Sequence, residues 1–194
     1  MAANVYLKSV TQLSYKTEAA ATPIVTGGGI DPKAGSRIAI RAFGFTCGAT
    51  ATAVWFMQPL GNSTISTAVA SNATTTFVVA ADMNTLASSD YICIELDNGD
   101  FQFTTVATGT YSDFSIAAAL LDTVAAGNRI WSFGIITDTG HIRFNLPVSV
   151  QTTKDIDGGI FYANNKNAPM LVYHANDAAA AGSRDYVTID YLNI

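Results

Sequence analysis

A hairpin signature near the middle of the chain constrains the fold more than any other feature. Two strand-like runs, Tyr91–Asp97 and Asp100–Val106, are separated only by Asn98-Gly99. Asn-Gly is the preferred centre of a two-residue type I′ turn, because both of its residues adopt positive φ. One face of this hairpin is expected to be core and the other wetter. The turn predicts three facing pairs: Leu96 with Phe101, Ile94 with Phe103, and Glu95 with Gln102.

Short strand-like runs also fill much of the remaining chain. They are rich in β-branched and aromatic residues and are bounded by Gly, Pro or other turn residues, which is typical of strands rather than helices. The clearest are Arg37–Arg41, Thr52–Met57, Arg129–Gly134, His141–Leu146, Met170–His174 and Tyr186–Leu192. Their spacing of about 8 to 12 residues predicts an all-β protein, specifically a jelly-roll-like antiparallel sandwich.

A degenerate internal repeat surrounds the hairpin. Phe77–Ala81 is followed by Leu86–Ile92, and about 37 residues later Phe114–Ala118 is followed by Val124–Ile130. Two such units pairing into a small closed barrel would explain the match. A competing interpretation makes residues 115–126 one short helix.

These patterns predict three regions. Residues 1–35 are too poor in large apolar side chains to form their own core and are predicted to be an N-terminal arm. Residues 36–70 and 136–194 are predicted to form the jelly-roll-like sandwich, and residues 71–135 an inserted small β-barrel.

The low charge of the chain bears on what it binds. Hydrophobic residues make up 49% and charged residues 13%, against about 25% charged residues in ordinary globular proteins. A surface short of charge is expected to be buried in an assembly; a monomer coated with Thr, Ser, Asn and Ala remains the alternative. The net charge of −5 and the scattered Lys and Arg residues disfavour nucleic-acid binding.

Membrane insertion and export are not expected either. No apolar run approaches the roughly 18 residues that a membrane span needs, and the N-terminus has no apolar signal core. We therefore expect the chain to be made in a cytoplasm. Cys47 and Cys93 are predicted to be reduced, buried thiols, with a single disulfide as the alternative.

Catalytic and metal-binding motifs are missing from the sequence. His141 and His174 accompany no nucleophile motif, and Asp155–Gly159 lacks the terminal Glu of a calcium loop. Asp97 and Asp100, on either side of the Asn-Gly turn, are expected to face each other and to be screened by solvent rather than by a cation. The sequence thus predicts no enzymatic activity, no metal and no cofactor.

Three segments, Ala53–Gly61, Asp90–Gly99 and Gly127–Gly134, resemble small Thr/Ala-rich structural proteins of tailed bacteriophages. With the predicted sandwich, the chain resembles a capsid decoration (cement) protein. The resemblance implies a jelly-roll-like homodimer or homotrimer on the outside of the virion. There it would bind the major capsid protein and reinforce contacts between capsid subunits. No functional residue carries over, because the matching motifs are structural.

The two ends of the chain are the predicted elements that reach a neighbouring subunit. In the arm these are Tyr6, Leu7 and Tyr15, and in the closing strand they are Leu192 and Ile194. They are expected to act by adding a strand to an exposed sheet edge.

Two other functions stay open. A phage tail or surface module that binds glycan would need an exposed aromatic platform, for which the candidates are Trp55, Trp131, Tyr91 and Tyr173. A hydrolase would need a pocket where carboxylates converge, for which the candidates are Asp155, Asp157 and Glu95.

Overall fold

Antiparallel strands make up the architecture of the described residues. The structure is a computed structural model that describes residues 11–17, 29–30, 35, 37–46, 52–75, 77–83, 86–135, 142–146, 151–155, 162–163, 167–175 and 185–193. No helix occurs among them. Their strands are β1 (Thr11–Thr17), β2 (Gly29–Ile30), β3 (Ile38–Thr46), β4 (Thr52–Met57), β5 (Gly61–Thr64), β6 (Phe77–Val78), β7 (Tyr91–Glu95), β8 (Phe101–Gly109), β9 (Asp113–Ile116), β10 (Arg129–Gly134), β11 (Ile142–Leu146), β12 (Gln151–Asp155), β13 (Tyr162–Ala163), β14 (Met170–Ala175) and β15 (Asp185–Asn193).

Eight of these strands form the two sheets of a sandwich. The orders are β1-β15-β3-β12 and β11-β4-β14-β2, and the short β13 also pairs with β3. If β13 and the six strands between β4 and β11 are left out, the eight sandwich strands can be renumbered from 1 to 8 along the chain. The two sheet orders then read 1-8-3-6 and 5-4-7-2. That connectivity is a jelly roll. The predicted all-β, jelly-roll-like antiparallel fold is therefore confirmed.

The other six strands form one curled sheet with the order β5-β10-β7-β8-β9-β6. Its two edge strands approach each other, because Ile65 and Val79 form an antiparallel bridge just beyond them. On either side of the bridge, Ser66 N–H donates to the Val78 carbonyl and Ala80 N–H to the Thr64 carbonyl, both at 2.8 Å. We call this curled sheet the barrel.

Apolar side chains fill the inside of the barrel. Fifteen buried residues form one cluster there: Ile65, Val69, Phe77, Val79, Met83, Leu86, Ile92, Ile94, Leu96, Val106, Phe114, Ile116, Leu120, Val124 and Ile130. Phe77 and Phe114, which the internal repeat aligns, face each other in the β6–β9 ladder with ring centroids 5.1 Å apart.

One wall of the barrel is buried on both faces. Along β7 and β10, Ile92, Ile94 and Ile130 point into the barrel core. The residues that alternate with them point outward into a second buried cluster. This cluster, which we call the shared wall, also contains Met57 of β4 and Leu171 of β14. Its members are Met57, Cys93, Phe103, Trp131, Phe133 and Leu171. Burial on both faces explains why these strands are almost continuously apolar.

The barrel segment lies, along the chain, between two strands of the sandwich that pair with each other. Strands β4 and β11 form an antiparallel ladder in which Phe56 faces Ile142. The barrel sheet already includes β5 at Gly61–Thr64, which lies before the predicted boundary at residue 71. Strands β1 and β2 of the predicted arm pair with β15 and β14. The division into an arm, a sandwich and an insert stays a prediction.

The hairpin register differs by one residue from the predicted one. Gly99 N–H donates to the Leu96 carbonyl at 3.0 Å, and Leu96 N–H to the Asp100 carbonyl at 2.9 Å. Gly99 has φ of +87°, whereas Asn98 is not among the residues with positive φ. This is a three-residue loop, a type I turn followed by a left-handed glycine. The observed facing pairs are Glu95 with Phe101, Ile94 with Gln102, and Cys93 with Phe103.

The cause of the shift is a set of tertiary contacts at Asp97. Its carboxylate accepts hydrogen bonds from Ala125 N–H at 2.8 Å and from Asn128 Nδ2 at 2.9 Å. Its own N–H donates to the Thr123 carbonyl at 2.9 Å. Asp97 is thereby held against the neighbouring loop and leaves the ladder.

The helical alternative for residues 115–126 is wrong. Strand β9 ends at Ile116, and turns, bends and a bridge follow. The backbone there is bound by other segments: Ala117 N–H donates to the Thr105 carbonyl and Leu120 N–H to the Ala73 carbonyl. The buried Gln102 side chain donates to the Ala119 carbonyl at 2.9 Å and accepts from Leu121 N–H at 2.8 Å. These partners replace the bonds that a helix would need.

Candidate interaction surface

The predicted interface residues fall at different places in the sandwich. Tyr15 lies in the edge strand β1, opposite Val187. Leu192 lies in β15, opposite Ala39 of β3. Leu192 lies five positions beyond Val187 in β15, so their backbones lie about 17 Å apart along the strand. Tyr6, Leu7 and Ile194 lie outside the described residues. A contact with a partner at these five positions stays a prediction.

The sandwich has open sheet edges. Strand β12 pairs on one side with β3 and β11 on one side with β4, and no other described strand pairs with their outer sides. Strands β1 and β2 stand at the opposite edges of the two sheets. An open edge presents N–H and C=O groups to which another chain can add a strand. Among the described strands, those at the edges of the sandwich sheets are therefore the ones without a paired neighbour on the outer side.

Two exposed apolar side chains lie on the barrel. Leu121 is 78% exposed and Tyr111 is 56% exposed. Leu121 adjoins Gln102 near the start of β8, whereas Tyr111 follows the end of β8, so the two lie at opposite ends of the barrel. They are separate contact points rather than one patch. Sequence reasoning missed both, because nothing in Leu120-Leu121 indicates which of the two leucines is buried.

Charge is distributed unevenly between the barrel and the rest of the chain. Residues 61–134 contain seven acidic residues and one basic residue, which gives −6, whereas the whole chain carries −5. The remaining residues therefore sum to +1. On the barrel, Asp82, Asp97, Asp100 and Asp113 are exposed. The barrel surface is acidic but sparsely charged, and the rest of the chain is close to neutral.

The single basic residue of the barrel is held in an ion pair. Arg129 Nε lies 2.8 Å from Glu95 Oε2 and Arg129 Nη2 lies 3.0 Å from Glu95 Oε1. The guanidinium also stacks over Trp131, 4.9 Å from the ring centroid. The hydrogen bonds from Arg129 lower the pKa of Glu95, and those to Glu95 raise the pKa of Arg129. This arrangement fixes both side chains against the shared wall.

The three carboxylates of the predicted hydrolase pocket are separated or lie outside the description. Glu95 is committed to Arg129 in the barrel. Asp155 is the last residue of the edge strand β12 in the sandwich, and Asp157 lies outside the described residues. A polar cleft of about 330 Å³ does adjoin Arg129, with Asn62, Trp131 and Asn167 in its lining. Its lining residues include no nucleophile and no general base.

Asp97 and Asp100 do not form the facing pair expected from the sequence. Hydrogen bonds from Thr123, the Ala125 N–H and Asn128 lower the pKa of Asp97. Asp100 instead accepts a hydrogen bond from Asn98 Nδ2 at 3.0 Å. Each carboxylate therefore has its own donors. Across the described part of the chain, no group of three or more His, Cys, Asp or Glu residues could hold a metal ion.

The aromatic residues proposed for glycan binding belong mainly to the shared wall. Trp131 is buried, and the half-buried Trp55 and Tyr91 pack against the same cluster. Tyr173 faces Trp55 in the β14–β4 ladder. The buried position of Trp131 leaves it no open face on which a sugar could stack.

The remaining single residues add little chemistry. Cys93 is buried, as predicted, and Cys47 lies outside the described residues. His174 lies in β14, opposite Val54, and His141 lies outside the described residues. Among the residues described, no helix is long and apolar enough to cross a membrane.

Comparison with known proteins gives weak structural likenesses. No family model matches the sequence, and no curated protein matches it significantly. A chain from the complex of the two major capsid proteins VP16 and VP17 of bacteriophage P23-77 is 11% identical, with 96% of this chain and 100% of that chain covered and a TM-score of 0.18. A chain from infectious bursal disease virus Gx strain is 12% identical, with 95% and 38% covered and a TM-score of 0.16. At these TM-scores the likeness assigns neither fold nor function to this chain.

Proposed function

We propose that this chain is a virion structural protein that binds the outside of a phage capsid, reinforces contacts between major capsid subunits and has no enzymatic activity. The observation that carries the proposal is the eight-stranded jelly-roll sandwich, in which no other described strand pairs with the outer sides of β11 and β12. Jelly rolls serve in viral capsids, lectins and cupins. The sequence resemblance to structural proteins of tailed phages favours the first of these three.

The charge distribution supports an orientation on the shell. The barrel carries −6, whereas the rest of the chain sums to +1. Net charge keeps an exposed surface soluble, and a nearly neutral surface is better suited to burial against another subunit. We therefore place the sandwich against the capsid and the barrel toward solvent.

Multivalent attachment gives the mechanism. One strand added at β11 or β12 contributes a modest set of main-chain hydrogen bonds. Many copies on one shell, or several within a homodimer or homotrimer, hold together more tightly than any single contact, because each later contact forms at high effective concentration. Reinforcement thus needs no catalytic group.

Purified virions of the phage that encodes the chain provide the test. We expect quantitative mass spectrometry to find many copies per particle, and surface labelling of intact particles to modify the barrel. Particles stripped of the chain should release DNA at a lower temperature than untreated particles. Absence of the chain from particles, or binding to a glycan array but not to shells, would contradict the proposal.

A pair of matched variants tests the role of the open edge. Thr153→Lys places a charge in the edge strand β12, and lysine at an edge opposes strand addition. Thr67→Lys places the same charge at an exposed position of the barrel. We expect occupancy on stripped shells to fall about tenfold for Thr153→Lys, the equivalent of about 1.4 kcal/mol, and to stay at the parent level for Thr67→Lys. Equal occupancy would remove the β12 edge from the mechanism.

A further inference from the structure

We infer that the barrel is an internal homodimer: two copies of one three-stranded unit meet across a two-fold axis and are fused through the Asn98-Gly99 hairpin. The first unit consists of β5, β6 and β7, and the second of β8, β9 and β10. The surface by which each unit binds the other is self-complementary, so the partner that it fits is another copy of the same unit.

The strand order of the barrel has the symmetry that such a dimer requires. The sheet order is β5-β10-β7-β8-β9-β6, and the last strand meets the first. If β5 is exchanged with β8, β6 with β9 and β7 with β10, each strand keeps the same kinds of neighbours and the circular order is the same, read in the opposite direction. Strands β7 and β10 lie side by side and antiparallel, as do β6 and β9. The bridge of Ile65 with Val79 in the first unit corresponds to the pairing of Val106 with Ile116 in the second. A closed two-fold arrangement predicts all of these neighbours.

The register of the ladders locates the axis. Between β7 and β10, Ile92 faces Ser132 and Ile94 faces Ile130, on either side of the pair formed by Cys93 and Trp131. Exchange of the units maps these two outer pairs onto each other and the central pair onto itself. On the opposite wall, Phe77 and Phe114 also map onto each other. The axis therefore passes through the shared wall and through the stacked phenylalanines.

Backbone hydrogen bonds repeat at equivalent positions before the third strand of each unit. In the first unit, Asp90 N–H donates to the Ala87 carbonyl at 3.1 Å, and in the second, Asn128 N–H donates to the Ala125 carbonyl at 3.2 Å. Two further pairs of bonds match. Ser89 N–H donates to the Val106 carbonyl and Gly127 N–H to the Ile65 carbonyl, both at 2.8 Å. In return, Val106 N–H donates to the Asp90 carbonyl at 2.9 Å and Ile65 N–H to the Asn128 carbonyl at 2.8 Å.

The same turn shows an unusual backbone conformation in both units. Ser89 has φ of +75°, and Gly127, at the equivalent position, has φ of +97°. A left-handed conformation is ordinary for glycine and uncommon for serine. Serine adopts it here because the hydrogen bonds of the unit dictate the turn. The structure of the repeated unit, rather than the identity of the residue, therefore determines the positive φ at this position.

The two units have diverged at the groups that cap this turn. Ala87 N–H donates to Asp90 Oδ2 at 2.7 Å, whereas the equivalent Ala125 N–H donates to Asp97 Oδ1 at 2.8 Å. The equivalent of Asp90 is Asn128, which cannot supply a carboxylate and binds Asp97 instead. A carboxylate that accepts the alanine N–H is thus supplied by Asp90 in the first unit and by Asp97 in the second, as expected when two copies of one unit diverge after duplication.

An exchange of core residues in the full-length chain tests the inference. One variant swaps four equivalent buried pairs: Ile65→Val with Val106→Ile, Val79→Ile with Ile116→Val, Met83→Leu with Leu120→Met, and Leu86→Val with Val124→Leu. The control has the same composition but swaps residues within a unit: Ile65→Leu with Leu86→Ile, Val79→Met with Met83→Val, Val106→Leu with Leu120→Val, and Ile116→Val with Val124→Ile.

We expect the exchanged chain to stay close to the urea midpoint of the parent, because equivalent sites around a two-fold axis offer similar surroundings to the exchanged side chains. The control should lose about 1 M urea, since its side chains no longer fit their sites. Equal midpoints for the two variants, or a lower one for the exchanged chain, would overturn the inference.

A smaller exchange decides the question if both eight-residue variants fail to fold. Leu86→Val with Val124→Leu exchanges equivalent positions, whereas Leu86→Val with Val106→Leu exchanges positions that are not equivalent and keeps the same composition. The first pair should unfold at the higher urea concentration. A lower or equal midpoint for the first pair would again overturn the inference.

Discussion

The barrel and the sandwich treat the edges of their sheets in opposite ways. The barrel brings β5 and β6 together through the Ile65–Val79 bridge, so its sheet closes on itself. The sandwich leaves β11 and β12 without a described neighbour on their outer sides. A closed sheet is protected from association, and an open one invites it. The described strands of the two parts thus differ in whether the outermost ones find a partner within the chain.

Removing a side chain from the shared wall is expected to have the largest effect. Phe133 is fully buried in the cluster that joins the barrel to β4 and β14. Phe133→Ala should lower the free energy of unfolding by about 3–5 kcal/mol, because it leaves a cavity between the two parts. Urea denaturation monitored by hydrogen exchange in both β4 and β7 measures the loss.

The outcome shows whether the two parts are one cooperative unit. Ile135→Ala, at a partly exposed position nearby, serves as the control and should change stability by about 0.5 kcal/mol or less. We expect exchange protection of β4 and β7 to fall together in Phe133→Ala. A loss confined to the barrel would show that the sandwich folds independently.

A change inside the barrel is expected to have a smaller, local effect. Gln102→Leu leaves the Leu121 N–H and the Ala119 carbonyl without the side-chain partner that holds them. We expect a loss of about 1–3 kcal/mol, because buried polar groups without partners are costly. Hydrogen exchange at the Leu121 amide should accelerate while that of β4 is unchanged.

Ser88→Ala is the matched control for Gln102→Leu. The Ser88 hydroxyl also bonds to a backbone carbonyl, that of Ala107 at 2.9 Å, but in an exposed position where water can replace it. This variant should lose about 0.5 kcal/mol or less. If the two variants lose the same amount, the buried amide does not hold the loop.

The ion pair of the barrel is expected to have the smallest effect, and one that depends on pH. Arg129 lowers the pKa of Glu95 in the folded chain. The stabilisation by the ion pair is therefore fully present above the pKa of a glutamate in the unfolded chain, about 4.3. It is lost as the pH falls through the lower pKa of Glu95 in the folded chain. Glu95→Gln should cost less than about 1 kcal/mol at neutral pH, since the pair is partly exposed.

A double-mutant cycle isolates this pair. The difference in unfolding free energy between the parent and Glu95→Gln should shrink on acidification below pH 4. In the Glu95→Gln background, Arg129→Gln should have the same effect at neutral and acidic pH. An undiminished parent-to-variant difference at low pH would show that the pair does not stabilise the fold.

Local patterns predict the more apolar strands of both parts, because burial on one or two faces selects apolar residues at those positions. The polar strands β5 and β12 have no such pattern and are not predicted. The closing strand was predicted over Tyr186–Leu192 and is observed as β15, at Asp185–Asn193. The hairpin register was not predictable, because contacts of Asp97 with Ala125 and Asn128, far along the chain, override the local preference of Asn-Gly.

The candidate interaction surface was less accessible to sequence reasoning. Which strands end up at a sheet edge depends on the whole topology, and no residue in β11 or β12 signals it. The exposure of Leu121 likewise depends on how Gln102 holds the loop. Tyr15 is predicted at an interface and does lie in an edge strand, and its contact with a partner stays a prediction.

The pairing of β4 with β11 bears on how such a chain can change over time. Phe56 and Ile142 face each other across one ladder, so the intervening segment leaves the sandwich and returns to it about 5 Å away. A short turn could join the same two strands without rethreading any of the other six. This position in the ladder is therefore one at which segments of different length can be accommodated between the same two strands.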